Sequence, residues 1–137
     1  MMIKKYSDEV MLVSRVLMSL IFISAGWAKI GGFVAIVAWV GTVLPFPEVV
    51  TALVIVIELI GGIMLLVGFK TKYAALAIGI FTLLAAFLFH MNLADQLQST
   101  MFMKNLAIAG GMFYVVVSGA GRYSVDAKMM KKEMPMA

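Results

Sequence analysis

The sequence predicts an all-α membrane protein, an antiparallel bundle of four transmembrane helices with both termini in the cytoplasm. Of its 137 residues, 64% are hydrophobic and only 13% are charged, whereas a soluble domain is roughly 45–50% apolar and about 25% charged. A chain this short has too much surface for its volume to bury so many apolar side chains in water. A lipid-facing exterior removes that difficulty, and four long apolar stretches agree with it.

The four apolar stretches predict spans over residues 7–28, 49–68, 72–91 and 100–119. Each can cross a hydrocarbon core of about 30 Å, which takes roughly 20 helical residues. Helices are expected because backbone amides in lipid must be paired within their own segment. One transmembrane domain therefore covers residues 1–126, and a polar cytoplasmic tail covers residues 127–137.

The connections between the spans differ in length. A tight turn is predicted over residues 69–71 and a short loop over residues 92–99, but residues 30–48 are longer, apolar and end in two prolines. About eleven residues over 33–43 predict a short helix that is too short to span. We expect an interfacial or re-entrant segment that covers the mouth of the bundle between the first two spans.

The distribution of lysine and arginine predicts the orientation, since cytoplasmic loops are enriched in both. With the N-terminus inside, only Lys29 and Lys104 lie near the outer face. The basic residues that are then cytoplasmic are Lys4, Lys5, Lys70, Lys72, Arg122, Lys128, Lys131 and Lys132. This asymmetry predicts both termini inside, in a multi-pass protein of a plasma membrane.

Composition excludes several classes of function. The chain has no cysteine, which excludes disulfides, thiol relays and cysteine-ligated metal. Its single histidine has no carboxylate at a matching spacing, so no metal site is expected. The net charge of +4 is spread over segment ends and not clustered with aromatics, so nucleic acid is not an expected partner.

Two ionisable residues fall inside the predicted spans, where a charge costs roughly 2.5–3.5 kcal/mol and normally has a partner or a purpose. Arg15 and Glu58 lie roughly 12 Å and 15 Å from the inner ends of their spans, counted at 1.5 Å per residue. We therefore expect a buried ion pair between them. The pair either fixes which helices are neighbours, or Glu58 is the protonatable group of a transport or redox pathway.

A second polar set lies at the predicted outer end of the bundle. Its members are Lys29, His90, Asn92, Lys104 and Asn105. Helical spacing places Arg15, Ser19, Phe22, Gly26 and Lys29 on one face of the first span, and Lys104, Ala107, Gly111 and Ser118 on one face of the fourth. We expect these faces to point into the bundle. The set predicts a ligand site with Glu58 and His90 as candidate catalytic groups, although snorkelling lysines and an interfacial histidine explain it equally well.

The motifs, in this order and spacing, resemble those of the DoxX family. The first span reads RVLMSLIFISAGWAKIGGF and the second IELIGGIMLLVGFKTKYAAL, and the later segments read FHMNLADQ, MFMKNLAIAGG and GAGRYSVD. The resemblance covers roughly residues 13–126 and is to the small YphA-like proteins of the bacterial inner membrane. The motif residues that it carries over are Arg15, Gly26, Lys29, Glu58, His90, Lys104 and Asn105.

This resemblance implies a redox-linked membrane subunit, because some relatives are linked to thiosulfate–quinone oxidoreduction and others to complexes that handle thiol and oxidative stress. A quinone is then the expected cofactor, and the expected partners are the lipid bilayer, an oxidoreductase protein and a second copy of the chain. If the protein is an enzyme, it is an oxidoreductase subunit. Two alternatives stay open: a scaffold, favoured by the lack of a complete catalytic constellation, and a small proton-coupled transporter that uses Glu58.

Overall fold

The computed structural model describes residues 2–134, and every regular element in that range is helical. Four helices are long and apolar enough to cross a membrane, which confirms the four predicted spans. These four are α2, α4, α5 and α6. The elements in chain order are α1 (Met2–Lys5), α2 (Ser7–Gly31), α3 (Phe33–Val40), α4 (Pro47–Val67), α5 (Thr71–Phe89), α6 (Gln96–Ser118) and α7 (Val125–Glu133).

Local capping explains where the helices differ from the predicted spans. The last span was expected from residue 100, but α6 begins at Gln96 because the Asp95 side chain accepts a hydrogen bond from the Gln98 backbone N–H at 2.8 Å. Asp at this position satisfies one of the free amides of the first helical turn. At the start of α4, Pro47 occupies the first turn, where its fixed φ suits a helix and its missing N–H costs nothing.

The polar tail predicted over residues 127–137 begins with a helix. In α7, the Ser124 hydroxyl accepts a hydrogen bond from the Ala127 N–H at 3.1 Å and so caps the first turn. Residues 135–137 of that tail lie outside the described residues. The short helix expected over residues 33–43 is present as α3.

Two close helix pairs form the bundle. Helix α2 packs on α4 and α5 packs on α6, while α4 and α5 join the two pairs. Phe22, Leu65, Ile78 and Met112 form the centre of the buried apolar core, and the last three are fully buried. The core therefore draws one side chain from each of the four long helices.

Glycines set the distance between α2 and α4. A Cβ atom on Gly26 would lie 2.9 Å from the Leu59 backbone nitrogen, and one on Gly62 would lie 2.9 Å from a side-chain carbon of Ile23. Small residues at such positions let two membrane helices approach closely. The contacts also fix the register, because they place Gly26 beside Leu59 and Glu58.

The inward faces were predicted correctly for α2 and wrongly for α6. Arg15, Ser19, Phe22 and Gly26 are buried on α2, as the spacing predicts. On α6 the buried side chains are those of Asn105, Ala109, Met112 and Val115, whereas Lys104 is exposed. The predicted face included Lys104. Its long side chain can reach a polar region although its backbone lies outside the buried face of α6. The true face is rotated by one residue.

We expect Gly26→Ala to destabilise the bundle by about 1–3 kcal/mol, because the added methyl group collides with the α4 backbone. Gly110→Ala is the matched control, since nothing lies within 4 Å of a Cβ atom on Gly110. Unfolding of the detergent-solubilised protein by SDS titration measures both. Equal stability of the two variants would contradict this account of the α2–α4 contact.

Candidate functional site

A cavity of about 220 Å³ lies at the end of the bundle that contains α3, here named the α3 end. Its polar lining consists of Lys29, Glu58, Thr82, His90, Lys104 and Asn105. Aromatic and aliphatic side chains complete the wall, among them those of Phe22, Ile36, Trp39, Phe81 and Phe89. The four long helices and the short helix α3 all contribute residues to it. Four of the five residues of the predicted outer polar set therefore meet in one place.

Lys29 and Glu58 form an ion pair inside this cavity. The Lys29 Nζ lies 2.8 Å from one carboxylate oxygen of Glu58 and 3.0 Å from the other. The Glu58 side chain is only 7% exposed and the Lys29 side chain 22%. Removing one member of such a pair leaves an uncompensated charge in a site of low dielectric constant. The cavity therefore contains a mostly buried pair of opposite charges that depend on each other.

The predicted ion pair between Arg15 and Glu58 is wrong. The Arg15 side chain is 2% exposed, and its guanidinium donates hydrogen bonds to the backbone carbonyls of Leu65 at 3.1 Å, Leu66 at 2.9 Å, and Tyr123. These three oxygens lie at the opposite end of the bundle, here named the α7 end. Arg15 thus joins α2 to the end of α4 and to the segment before α7.

The error has a geometric cause. Arg15 Nη1 lies 2.7 Å from the position of a Cβ atom on Gly68, the residue that ends α4. Helix α2 therefore extends about eight residues, roughly 12 Å, beyond the end of α4. The prediction measures the depth of each residue from the end of its own helix and takes the two ends to be level. On that assumption Arg15 and Glu58 lie at the same depth. With the ends staggered, the partner at the level of Glu58 is Lys29.

Two aspartates complete the contacts at the α7 end. The Asp126 carboxylate accepts hydrogen bonds from the backbone amides of Lys70 at 2.7 Å and Thr71 at 2.9 Å, and Asp8 accepts one from the Arg122 amide at 3.0 Å. Partial burial acts to raise the pKa of Asp126, but the two amides and the positive charge of Arg15 outweigh it and lower that pKa. The segment that follows α6 is thereby fastened to both α2 and α5.

The roof of the cavity is aromatic and includes the histidine. The centroid of the Trp39 ring on α3 lies 4.6 Å from the ring centroid of Phe89 and 6.3 Å from that of His90. His90 Nδ1 lies 2.8 Å from Gln98 Oε1. Because the amide oxygen can only accept, Nδ1–H is the donor of this hydrogen bond, and in the neutral ring the other nitrogen is a hydrogen-bond acceptor. Helix α3 thus covers the cavity and His90 links α5 to α6.

Three further polar side chains of the cavity are available to a ligand. Thr82 is 3% exposed, and its hydroxyl has no hydrogen-bond partner among residues 2–134. Asn105 is 7% exposed, and no carboxylate in the described chain lies within 4.0 Å of Lys104. A buried hydroxyl without a partner is uncommon in folded proteins. The site therefore has unused hydrogen-bonding capacity.

Sequence reasoning misplaced one member of this site and missed two. Asn92 was expected in the cluster, but it lies exposed in the connection between α5 and α6 and is not among the cavity residues. Thr82 and Trp39 were not predicted as site residues. Thr82 lies two helical turns before His90, so the four-residue spacing gives a signal that could have found it. Within residues 2–134, no three His, Asp or Glu side chains group closely enough to hold a metal ion.

The first three spanning helices, α2, α4 and α5, fall almost entirely within a match to a known family. The DoxX family model matches residues 10–91, which is more than half of the chain. The chain belongs to the DoxX family. The match confirms the resemblance seen in the motifs of the first two spans, and the protein is a DoxX-family integral membrane protein.

Three named proteins share this likeness. Inner membrane protein YqjF of Escherichia coli is 44% identical over 129 residues, which cover 94% of this chain and 98% of that protein. Inner membrane protein YphA of the same organism is 29% identical over 124 residues, 86% of this chain and 89% of the relative. The ER-derived vesicles protein ERV29 of Saccharomyces cerevisiae is 34% identical over 79 residues, 54% of this chain and 26% of that protein. No solved structure matches the chain.

The assignment of the ion pair is tested by double-mutant cycles. We expect Lys29→Met and Glu58→Gln to show a coupling energy of about 1–3 kcal/mol, because each charge compensates the other. Arg15→Met and Glu58→Gln should add to within about 0.5 kcal/mol, as distant sites do. SDS titration gives the unfolding free energies, and a larger coupling in the Arg15 cycle would restore the pairing first expected.

Asp126 should make the α7 end sensitive to acid. Its pKa in the folded protein lies below the usual 3.8, so its stabilising effect is complete above that value and is lost as the pH falls through the folded-state pKa. Asp126→Asn should lower the unfolding free energy at pH 7 by about 1.5–3 kcal/mol, the range for hydrogen bonds to charged groups. It should also flatten the loss of stability below about pH 4. Glu133→Gln, an exposed change in α7, is the control and should do neither.

Proposed function

We propose that the protein is a redox-linked membrane subunit that binds the headgroup of a quinone in the cavity at the α3 end. The observation that carries this proposal is the combination of flat aromatic walls with unused hydrogen-bond donors in one enclosure. Trp39 and Phe89 pack against each other and form one aromatic wall against which a planar ring can lie, while Thr82, Lys104 and Asn105 supply donors. Ligand cavities usually measure about 300–1,000 Å³. At about 220 Å³ this one suits a single ring whose apolar tail stays in the lipid.

The charges of the cavity suit the chemistry of a quinone. Reduction of a quinone to a quinol takes up two electrons and two protons. Lys104 and Thr82 donate hydrogen bonds to the carbonyl oxygens, on which negative charge develops during reduction. Glu58 and His90 are the groups that hold and pass on the protons, and the electrons come from a partner oxidoreductase. Lys29 is the ion-pair partner of Glu58 at this site.

We propose an antiparallel bundle in a bacterial inner membrane, with both termini in the cytoplasm. Contacts along α2 and α4 run in opposite directions, from Arg15 beside Leu66 to Gly26 beside Leu59, which supports the antiparallel arrangement. The names of the two Escherichia coli relatives support the inner membrane. Basic residues concentrate at the α7 end, which supports a cytoplasmic position for that end. The cavity then lies toward the outer face.

A binding site fits the interior better than a transport pathway does. Between the Arg15 contacts and the cavity lies the apolar layer of Phe22, Leu65, Ile78 and Met112. Leu65, Ile78 and Met112 are 0% exposed. A charged or strongly polar substrate would have to leave its partners to cross this layer. The polar site is therefore closed on its inner side.

Tryptophan fluorescence tests quinone binding. The protein has two tryptophans; Trp39 lines the cavity and Trp27 is 72% exposed. In a Trp27→Phe background, a short-chain quinone should quench Trp39 in a saturable titration. Lys104→Met should weaken binding about tenfold or more, because a hydrogen bond from a charged donor is worth about 1.5–3 kcal/mol. Lys5→Met removes an equal charge far from the cavity and should leave the affinity unchanged.

The same titration distinguishes the proposal from its rival. Quenching that does not saturate, or that is the same in Lys104→Met and Lys5→Met, would show that the quinone partitions only into detergent. The redox proposal would then be wrong. A stable protein partner that purifies with a chain free of quinone would favour a scaffold.

A further inference from the structure

A second concave site lies at the α7 end, remote from the quinone cavity. It is a cleft of about 650 Å³ between the start of α5, the segment after α6, and α7. Lys70, Lys72 and Arg122 form its basic side, and Met129 and Met130 form its apolar side. We name this site the basic cleft. Its residues take no part in the cavity at the α3 end.

The three basic side chains of the cleft form no ion pair with a carboxylate of the described chain. Among residues 2–134, no carboxylate oxygen lies within 4.0 Å of the charged atoms of Lys70, Lys72 or Arg122. Asp126 also lines the cleft, but its two oxygens already accept the amides of Lys70 and Thr71, and Arg15 lies behind it. Glu133, in the last turn of α7, also lines the cleft but lies beyond 4.0 Å from the three basic groups. The three basic side chains are therefore free to bind an anion.

The opposite wall is apolar and open. Met129 is 44% exposed and Met130 is 66% exposed, although both are apolar. At about 100° per residue, the two methionines lie on the face of α7 that lines the cleft. Lys128, Lys131 and Lys132 lie on the other face and are not among the cleft residues. Helix α7 thus presents an apolar side to the basic side of the bundle.

The surroundings of the cleft connect it to lipid. Tyr73, in the first turn of the spanning helix α5, lines the cleft and is 75% exposed. Tyrosine is enriched where a membrane helix passes through the headgroup region. Leu76, on the next turn, is 41% exposed on the surface of that span. A molecule in the cleft can therefore have its polar part among the lysines and its apolar part along the bundle.

We propose that the basic cleft binds an anionic phospholipid. Its phosphate contacts Lys70, Lys72 and Arg122, and its glycerol and upper acyl carbons contact Tyr73, Met129 and Met130. Clusters of basic residues beside membrane helices attract anionic headgroups, and the methionine side chains adapt to an irregular apolar surface. A free phosphate ion shares the headgroup chemistry but has no group to place on the apolar wall. A zwitterionic lipid shares the tail but adds a positive charge beside three others.

Lipid titration of the full chain in a neutral detergent tests this proposal. Native mass spectrometry counts and ranks bound dioctanoyl phosphatidylglycerol, dioctanoyl phosphatidylcholine and, as the soluble anion, glycerol phosphate. The cleft variant is Lys70→Gln, Lys72→Gln and Arg122→Gln together. The matched control is Lys128→Gln, Lys131→Gln and Lys132→Gln, which removes the same charge from the same end but from outside the cleft.

We expect phosphatidylglycerol to bind at least tenfold more tightly than phosphatidylcholine, with one site per chain. The cleft variant should lose at least tenfold in affinity, and the control less than twofold. Equal losses in both variants would show that the basic end attracts anions without a site. Equal binding of the two lipids would overturn the role of the charge, and glycerol phosphate binding as tightly as the lipid would overturn the role of the apolar wall.

A single substitution tests the apolar wall without altering the basic side. Met130→Glu places a carboxylate at an exposed position of α7, so the fold should persist. We expect it to weaken phosphatidylglycerol binding about tenfold, and Met130→Leu to keep it. If both variants bind as the wild type does, the methionine wall is not part of the lipid site and the proposal is wrong.

Discussion

Lipid offers no groups that can pair with a charge, so the charges of this chain must be paired with groups of the protein. This requirement determines how the helices are arranged. Arg15 and Glu58 lie on helices that must otherwise present apolar surfaces. The structure places their partners at two different levels, with backbone carbonyls for Arg15 and Lys29 for Glu58. Gly26 makes the second arrangement possible, because the absence of a Cβ atom lets α2 reach the α4 backbone beside Glu58. The register of the α2–α4 pair follows from both contacts together.

Much of the bundle could be predicted from the sequence, because length and hydropathy are local properties. The four spans, the helix at residues 33–40 and the buried face of α2 all follow from patterns within one segment. The partner of Glu58 does not, because it depends on how far α2 extends past α4. That stagger is set by glycine contacts and by the carbonyls at the end of α4, which carry no signal in the side-chain pattern.

The candidate site shows the same division between local and tertiary information. Lys29, His90, Lys104 and Asn105 were grouped correctly because all four lie near helix ends on the same side of the bundle. Asn92 was grouped with them on the same ground, but a loop residue has no helical face that commits it to the interior. Trp39 was missed as a site residue because only the folding of α3 over the bundle brings it to Phe89.

The two ends of the bundle differ in how their polar groups are paired. At the α3 end, oppositely charged Lys29 and Glu58 hold each other, and the hydroxyl of Thr82 and the amine of Lys104 remain available around an aromatic enclosure. At the α7 end, backbone carbonyls accept hydrogen bonds from the two terminal nitrogens of Arg15 and backbone amides donate to Asp126, which attaches the C-terminal segment to the bundle. The buried layer of Leu65, Ile78 and Met112 separates the two. Because tightly packed side chains transmit displacement, an occupant at one end can influence the other by moving any of the four long helices, all of which pass through this layer.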